Sequence, residues 1–354
     1  MFPFQMRPDQ ISQEINEFNN KLSQGFQTLS EVGEIEVGVS EKEPVYSEDK
    51  LVLYHFKPRV EKVSKTPLLI VYALVNRPYM ADMQDGRSQI QGLLDAGQDV
   101  YLIDWGYPDA ADRFLDLNDY INGYIDRCVD VIRDKHDLKK INLLGICQGG
   151  AFSLCYSALH GDKVKNLVTT VTPVDFHTKN DLLSLMVRNI DVDLMMDSMG
   201  NVPGELLNWT YLNLKPFTLM GQKYLDLVNI LDDTEKARNF MRMEKWIFDS
   251  PDQAGEAFRQ FTKQFYQQNG LVKGTVKIGN DTVDLQNIKL PVLNIYAASD
   301  HLVPPDSSRA LRGCVGTDDY TEIEFPGGHI GIYVSGKAQK MIPPAVSKWL
   351  KERS

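Results

Sequence analysis

Apolar positions along the chain fall into two rhythms. Between residues 9 and 29, Ile11, Ile15, Phe18, Leu22 and Phe26 recur at steps of three and four, a spacing that predicts one amphipathic helix. Further on the apolar runs become short and bounded by turn residues, and 51–56, 68–75, 100–105, 141–144, 167–171, 292–296 and 321–325 read as strands. Helical patterns at 88–95, 118–133 and 151–159 lie between several of them. Another spans 337–350, where Pro343 and Pro344 are expected to interrupt it. Strand alternating with helix implies βαβ units and a largely parallel sheet covered on both faces. The short run at 141–144 suits a buried central strand.

The alternation stops between about 178 and 286. This stretch holds Met186, Met195, Met196, Met199, Met220, Met241 and Met243 together with Trp209 and Trp246, in patterns that are mostly helical. Any single one of them reads first as core packing, but their shared density fits a flexible apolar lid over a substrate channel. The expected architecture is therefore α/β: an N-terminal helical segment at 1–40, a core at 41–177 and 286–354, and an inserted, mainly helical cap at 178–285.

Composition narrows the function classes. With 43% hydrophobic and 24% charged residues, the 354-residue chain is long enough to bury an active site in a globular core. A net charge of -10 argues against broad nucleic-acid binding, which needs clustered Lys and Arg. The four cysteines, Cys128, Cys147, Cys155 and Cys314, form no CxxC pair, so neither a disulfide scaffold nor a metal site is expected, and a reducing cytoplasm is the natural setting. The first residues lack the pattern of a signal peptide, and no run reaches the length of a membrane span.

Chemistry enters at Gly145-Ile146-Cys147-Gln148-Gly149, which has the spacing G-x-S-x-G with cysteine for serine and lies between an expected strand and an expected helix. The glycines permit a sharp turn, and the following helix N-terminus favours a thiolate. A buried structural cysteine is the competing reading of Cys147 alone. Downstream, Asp300 follows the strand at 292–296 and His329 lies among glycines after the strand at 321–325. The order nucleophile, acid, base is that of α/β-hydrolases, with each group just past the carboxyl end of a strand. His329 would take the thiol proton and Asp300 would hold the imidazole in its useful tautomer. Taken singly, Asp300 could cap a turn and His329 could be a packed loop residue, while His301 ranks second as base. The expected oxyanion donors are the backbone N–H groups of Gln148 and, from the loop after the strand at 68–75, Val75.

Five segments together resemble the polyhydroxyalkanoate synthases: Gly145 to Gly150 (GICQGG), Val100 to Asp109 (VYLIDWGYPD), Tyr72 to Tyr79 (YALVNRPY), Ala298 to His301 (ASDH) and Gly327 to His329 (GGH). The short chain carrying GICQGG is most similar to the class III catalytic subunit. The resemblance implies polymerisation of (R)-3-hydroxyacyl-CoA, chiefly 3-hydroxybutyryl-CoA, with CoA as leaving group, a growing polyester chain held on Cys147 and no further cofactor. It also implies a second synthase subunit, the E subunit, a homodimer of the catalytic subunit, and a cytoplasmic location at polyester granules. The family's catalytic cysteine, aspartate and histidine fall on Cys147, Asp300 and His329, and Asp300 is implied to help activate the incoming 3-hydroxyl. Two other readings compete: a thiol-dependent hydrolase resembling dienelactone hydrolase or a thioesterase, and a non-catalytic granule scaffold.

Overall fold

The computed structural model describes residues 33–354 together with Gln13, Asn16 and Glu17. The helical stripe expected over 9–29, and with it most of the 1–40 segment, lies outside the described residues.

Eight strands form one sheet: β1 (Lys42–Glu48), β2 (Leu51–Phe56), β3 (Leu68–Val71), β4 (Val100–Asp104), β5 (Ile141–Ile146), β6 (Val164–Thr170), β7 (Val292–Ala297) and β8 (Tyr320–Phe325). Their spatial order is β1-β2-β4-β3-β5-β6-β7-β8. From β4 to β8 every pairing is parallel, whereas β1, β2 and β4 pair antiparallel. Little in the sequence signals β1, whose KEPVYSE is mostly exposed. Pro44 is tolerated because β1 is an edge strand with a register shift between Pro44 and Tyr46.

Successive residues of the inner strands face opposite layers. Leu68 and Ile70 of β3 join Ile90, Leu93 and Leu94 of helix α1 (Gln89–Asp95) on one side. Leu69 and Val71 join Cys128 and Ile132 of α2 (Asp126–His136) and Phe152 of α3 (Gln148–Leu159) on the other. Both faces of β3 and β5 are buried throughout, which requires the near-continuous apolar runs seen in the sequence. β3 ends at Val71, so Tyr72 to Val75, expected to extend it, leave the sheet and turn toward the site described below.

The chain after β6 is mainly helical and includes α4 (Leu182–Val187), α5 (Val192–Met199), α6 (Gly204–Leu212), α7 (Lys223–Val228), α8 (Thr234–Phe248) and α9 (Gly255–Phe261). These helices occupy the stretch expected to form the cap, and the chain returns to β7 through a two-stranded hairpin at 277–282. The last helix, α10 (Gly336–Lys351), runs without a break through Pro343 and Pro344, contrary to the expected interruption. Pro343 seats on Gly92 of α1, where even an added Cβ would come within 2.7 Å of its ring. Buried Ile342, Val346, Trp349 and Leu350 join the same packing and offset the missing backbone donors.

Candidate active site

Cys147 occupies the turn between β5 and α3 with φ +54° and ψ -121°. A non-glycine residue rarely adopts this conformation, which costs on the order of 1–3 kcal/mol and persists only where surrounding packing enforces it. The enforcement is local. Cys147 N–H donates to Thr170 O at 2.9 Å, and Gly150 N–H to Cys147 O at 2.9 Å. Gly149 lies so close to the end of β3 that a Cβ there would sit 2.3 Å from Val71 O and 2.5 Å from Tyr72 O. Val71 closes β3 and Tyr72 O already accepts Trp105 Nε1–H at 2.9 Å, so neither carbonyl is free to move. Gly149→Ala is therefore expected to destabilise the fold by about 1–3 kcal/mol or more through overpacking. Urea denaturation would read this as a lowered midpoint, and an unchanged midpoint would contradict the geometry.

Asp300 and His329 come from the loops after β7 and β8. Those loops are tied to each other, Ala298 N–H donating to Phe325 O and Ser299 N–H to Gly327 O, each at 2.8 Å. His329 Nδ1 meets Asp300 Oδ2 at 2.7 Å. The other Asp300 oxygen accepts the N–H groups of Leu302 (2.8 Å) and Val303 (2.9 Å), so the carboxylate is fully engaged and its side chain is 0% exposed. Thus Asp300 does form the turn-stabilising contacts of its plain reading, with one oxygen, while the other holds the imidazole.

The structure brings Cys147 and His329 to the floor of one cavity of about 470 Å³, within the range of small-molecule sites, and leaves Asp300 behind the imidazole. Burial by itself would lower the His329 pKa. The Asp300 carboxylate, by charge and hydrogen bond, and then the influence of the Cys147 sulfur outweigh it and raise the value to about 10. His301 also lines the cavity, but burial and nearby Lys215 lower its pKa, and among the described residues it has no hydrogen-bonded carboxylate. The remaining cysteines differ in kind. Burial pushes the Cys128 and Cys155 thiols well up, both being 0% exposed, and it also raises half-buried Cys314.

Gln148 is the first residue of α3, so its N–H has no partner within the helix and is available to an anion. Leu74 is excluded as a second donor because its N–H already donates to Gln148 Oε1 at 3.0 Å. Val75 lines the same cavity, and its N–H meets no protein acceptor among the described residues.

Sequence reasoning missed the bracing around this floor. The Gln148 side chain as a clamp carries no motif of its own. Asp181, in the cavity wall, caps α4 through Ser184 N–H at 2.8 Å. Burial raises its pKa to about 6, with Asp175 and Asp300 adding to the effect and the Ser184 N–H and Arg188 opposing it. Only its position ahead of a helical run could have signalled the cap. Tyr211 and Tyr266 come from the cap side and close the cavity with Val187, Ile190 and Leu207.

Comparison with known proteins gives this geometry a family. A model of the alpha/beta hydrolase fold matches residues 66–335, and a model of the poly-beta-hydroxybutyrate polymerase (PhaC) N-terminus matches residues 9–93. The poly(3-hydroxyalkanoate) polymerase subunit PhaC of Allochromatium vinosum is 65% identical, with 100% of both chains covered. That of Synechocystis sp. is 54% identical, covering 100% of this chain and 96% of the relative. Among solved structures, the monoacylglycerol lipase of Paleococcus ferrophilus superposes with a TM-score of 0.57 at 18% identity, covering 86% of this chain and all of the lipase, which speaks to the fold alone. By identity along its whole length, on the α/β-hydrolase fold, the chain belongs to the poly(3-hydroxyalkanoate) polymerases.

Proposed function

We propose that this polymerase builds its polyester from (R)-3-hydroxyacyl-CoA, chiefly the hydroxybutyryl thioester, by covalent catalysis on Cys147. The observation that carries the reading is the Asp300–His329 pair beneath a cavity that also exposes the Cys147 thiol. His329 takes the thiol proton, and the sulfur attacks the thioester carbonyl of the substrate. The negative charge that develops on the carbonyl oxygen is met by the N–H groups of Gln148 and Val75. The carbon–sulfur bond to CoA breaks, His329 returns the proton to the departing CoA thiolate, and a 3-hydroxyacyl group remains on Cys147.

Elongation uses the same groups. His329 removes the proton from the 3-hydroxyl of the next hydroxyacyl-CoA, and the oxygen attacks the acyl-cysteine carbonyl. An ester forms and the cysteine sulfur leaves, taking the proton back. The lengthened chain, still a CoA thioester, then returns to Cys147 by another exchange that releases CoA. One thioester is traded for another at little cost, and transfer to the hydroxyl is downhill.

We assign hydroxyl activation to His329, although the resemblance gave Asp300 a part in it. Asp300 has both oxygens occupied and no exposed side-chain surface, so it acts through the imidazole. The mostly apolar cap walls would keep water from the acyl-cysteine between additions. Among the described residues no helix is long and apolar enough to cross a membrane. We place the enzyme at the surface of its polyester granule, as a homodimer working with an E subunit, with no cofactor beyond the substrate's own CoA.

Product analysis separates this reading from a thiol-dependent hydrolase. Incubation with (R)-3-hydroxybutyryl-CoA is expected to give turbidity together with free CoA. Free CoA with soluble 3-hydroxybutyrate as the only acyl product would overturn it.

A further inference from the structure

Val75 is clamped on both sides. Before it, Leu74 N–H is held by the Gln148 side chain, as described above. After it comes Asn76, in the left-handed region at φ +55°, a conformation that asparagine tolerates better than most residues. The Asn76 amide Nδ2 lies 3.2 Å from Trp246 O, 3.2 Å from Ile247 O and 2.6 Å from Ser250 Oγ. Those carbonyls belong to the last turn of cap helix α8, where backbone oxygens lack their usual helical donors. The tie runs in both directions, because Trp246 Nε1–H donates to Arg77 O at 2.9 Å. Immediately after α8, the two oxygens of Asp249 accept the hydroxyls of Tyr79 (2.9 Å) and Tyr107 (2.7 Å) from the core.

The nucleophile helix therefore fixes one end of the short segment that carries Val75, and the cap fixes the other. We propose that Asn76 is a positioning residue through which the seating of α8 on the core aims the Val75 N–H at the reacting carbonyl. This rests on the reading of Cys147 as nucleophile and Val75 as oxyanion donor. When α8 is seated the donor is in place and the cavity is closed; when α8 moves away, Asn76 loses its three acceptors and the donor loses its aim. Acyl transfer is thus coupled to the closed cap, and an acyl-cysteine exposed by an open cap is poorly activated toward water.

The test compares two reactions of the same sulfur in the full-length chain. Acyl transfer from (R)-3-hydroxybutyryl-CoA develops an oxyanion, whereas alkylation by iodoacetamide displaces iodide from a saturated carbon and develops none. Asn76→Gly keeps the left-handed backbone accessible and removes the amide. It is expected to lower kcat for CoA release about 10- to 100-fold, since small displacements in a site cost rates of this order, with KM changed less than about threefold. The rate of Cys147 alkylation, followed by peptide mass spectrometry, stays within about twofold, because no oxyanion donor takes part in it. Trp246→Phe, which removes the reverse tie and trims a buried side chain of the cavity wall, should move kcat the same way by less. An unchanged kcat, a loss confined to KM, or a parallel loss of alkylation and kcat would each overturn the role of Asn76. CoA release that persists in Cys147→Ala would instead fault the underlying nucleophile assignment, whatever the Asn76 variants do.

Discussion

Replacing Cys147 by alanine is expected to reduce CoA release from (R)-3-hydroxybutyryl-CoA by about 10⁴-fold or more, to the level of losing a covalent nucleophile. The substitution removes one sulfur atom and little else. Alanine meets the same backbone strain at φ +54° that cysteine does, and the flanking glycine contacts and the Thr170 hydrogen bond stay as they are. The protein should therefore stay folded while losing its activity. Serine at the same position probes the energetics of the cycle. Its acyl ester would form from the CoA thioester, but transfer onward to a hydroxyl exchanges one ester for another and loses the downhill step. Cys147→Ser is expected to stall with an acyl group on the enzyme, whereas a polymer yield equal to wild type from either variant would contradict the nucleophile assignment.

Asp300→Asn is expected to lower turnover about 10³- to 10⁴-fold, the scale on which a triad loses its imidazole-orienting carboxylate. Asparagine can still accept the N–H groups of Leu302 and Val303, so the turn survives. What disappears is the negative charge facing His329 Nδ1, and an amide nitrogen placed there would turn the ring toward the wrong tautomer. A pH titration of stability checks the electrostatic part independently. The folded His329 pKa is raised above its ordinary value of 6.5, so the wild-type pair contributes stability that is fully present below about pH 6.5 and is lost as pH rises through about 10. Since the asparagine variant lacks that contribution, the stability gap between it and wild type should be widest near about pH 6 and shrink toward about pH 10. A gap that widens with rising pH would contradict the assignment of Asp300 as the cause of the raised imidazole.

Much of this site was legible in the sequence because its determinants are local. A strand, a glycine-flanked cysteine and a helix in succession leave few conformations for Cys147, while the acid follows the fully buried parallel strand β7 and the base the half-buried edge strand β8. The bracing was not legible because its partners are far apart in the chain. Asn76 contacts residues about 170 positions downstream, and neither end carries a pattern that names the other. The same limit hid β1, where burial on one face of an edge strand demands few apolar residues. At Pro343 the local rule pointed the wrong way: proline disfavours a helix interior, but a ring fitted onto Gly92 is a tertiary contact that no window of sequence contains.

A rapid-quench experiment with (R)-3-hydroxybutyryl-CoA, followed by proteolysis and mass spectrometry, reads the central chemistry directly. The expected result is one or more hydroxybutyryl units on the Cys147 peptide, removed by neutral hydroxylamine as a thioester should be. CoA released at the normal rate with Cys147 unmodified throughout, or the acyl group found on another residue, would contradict it.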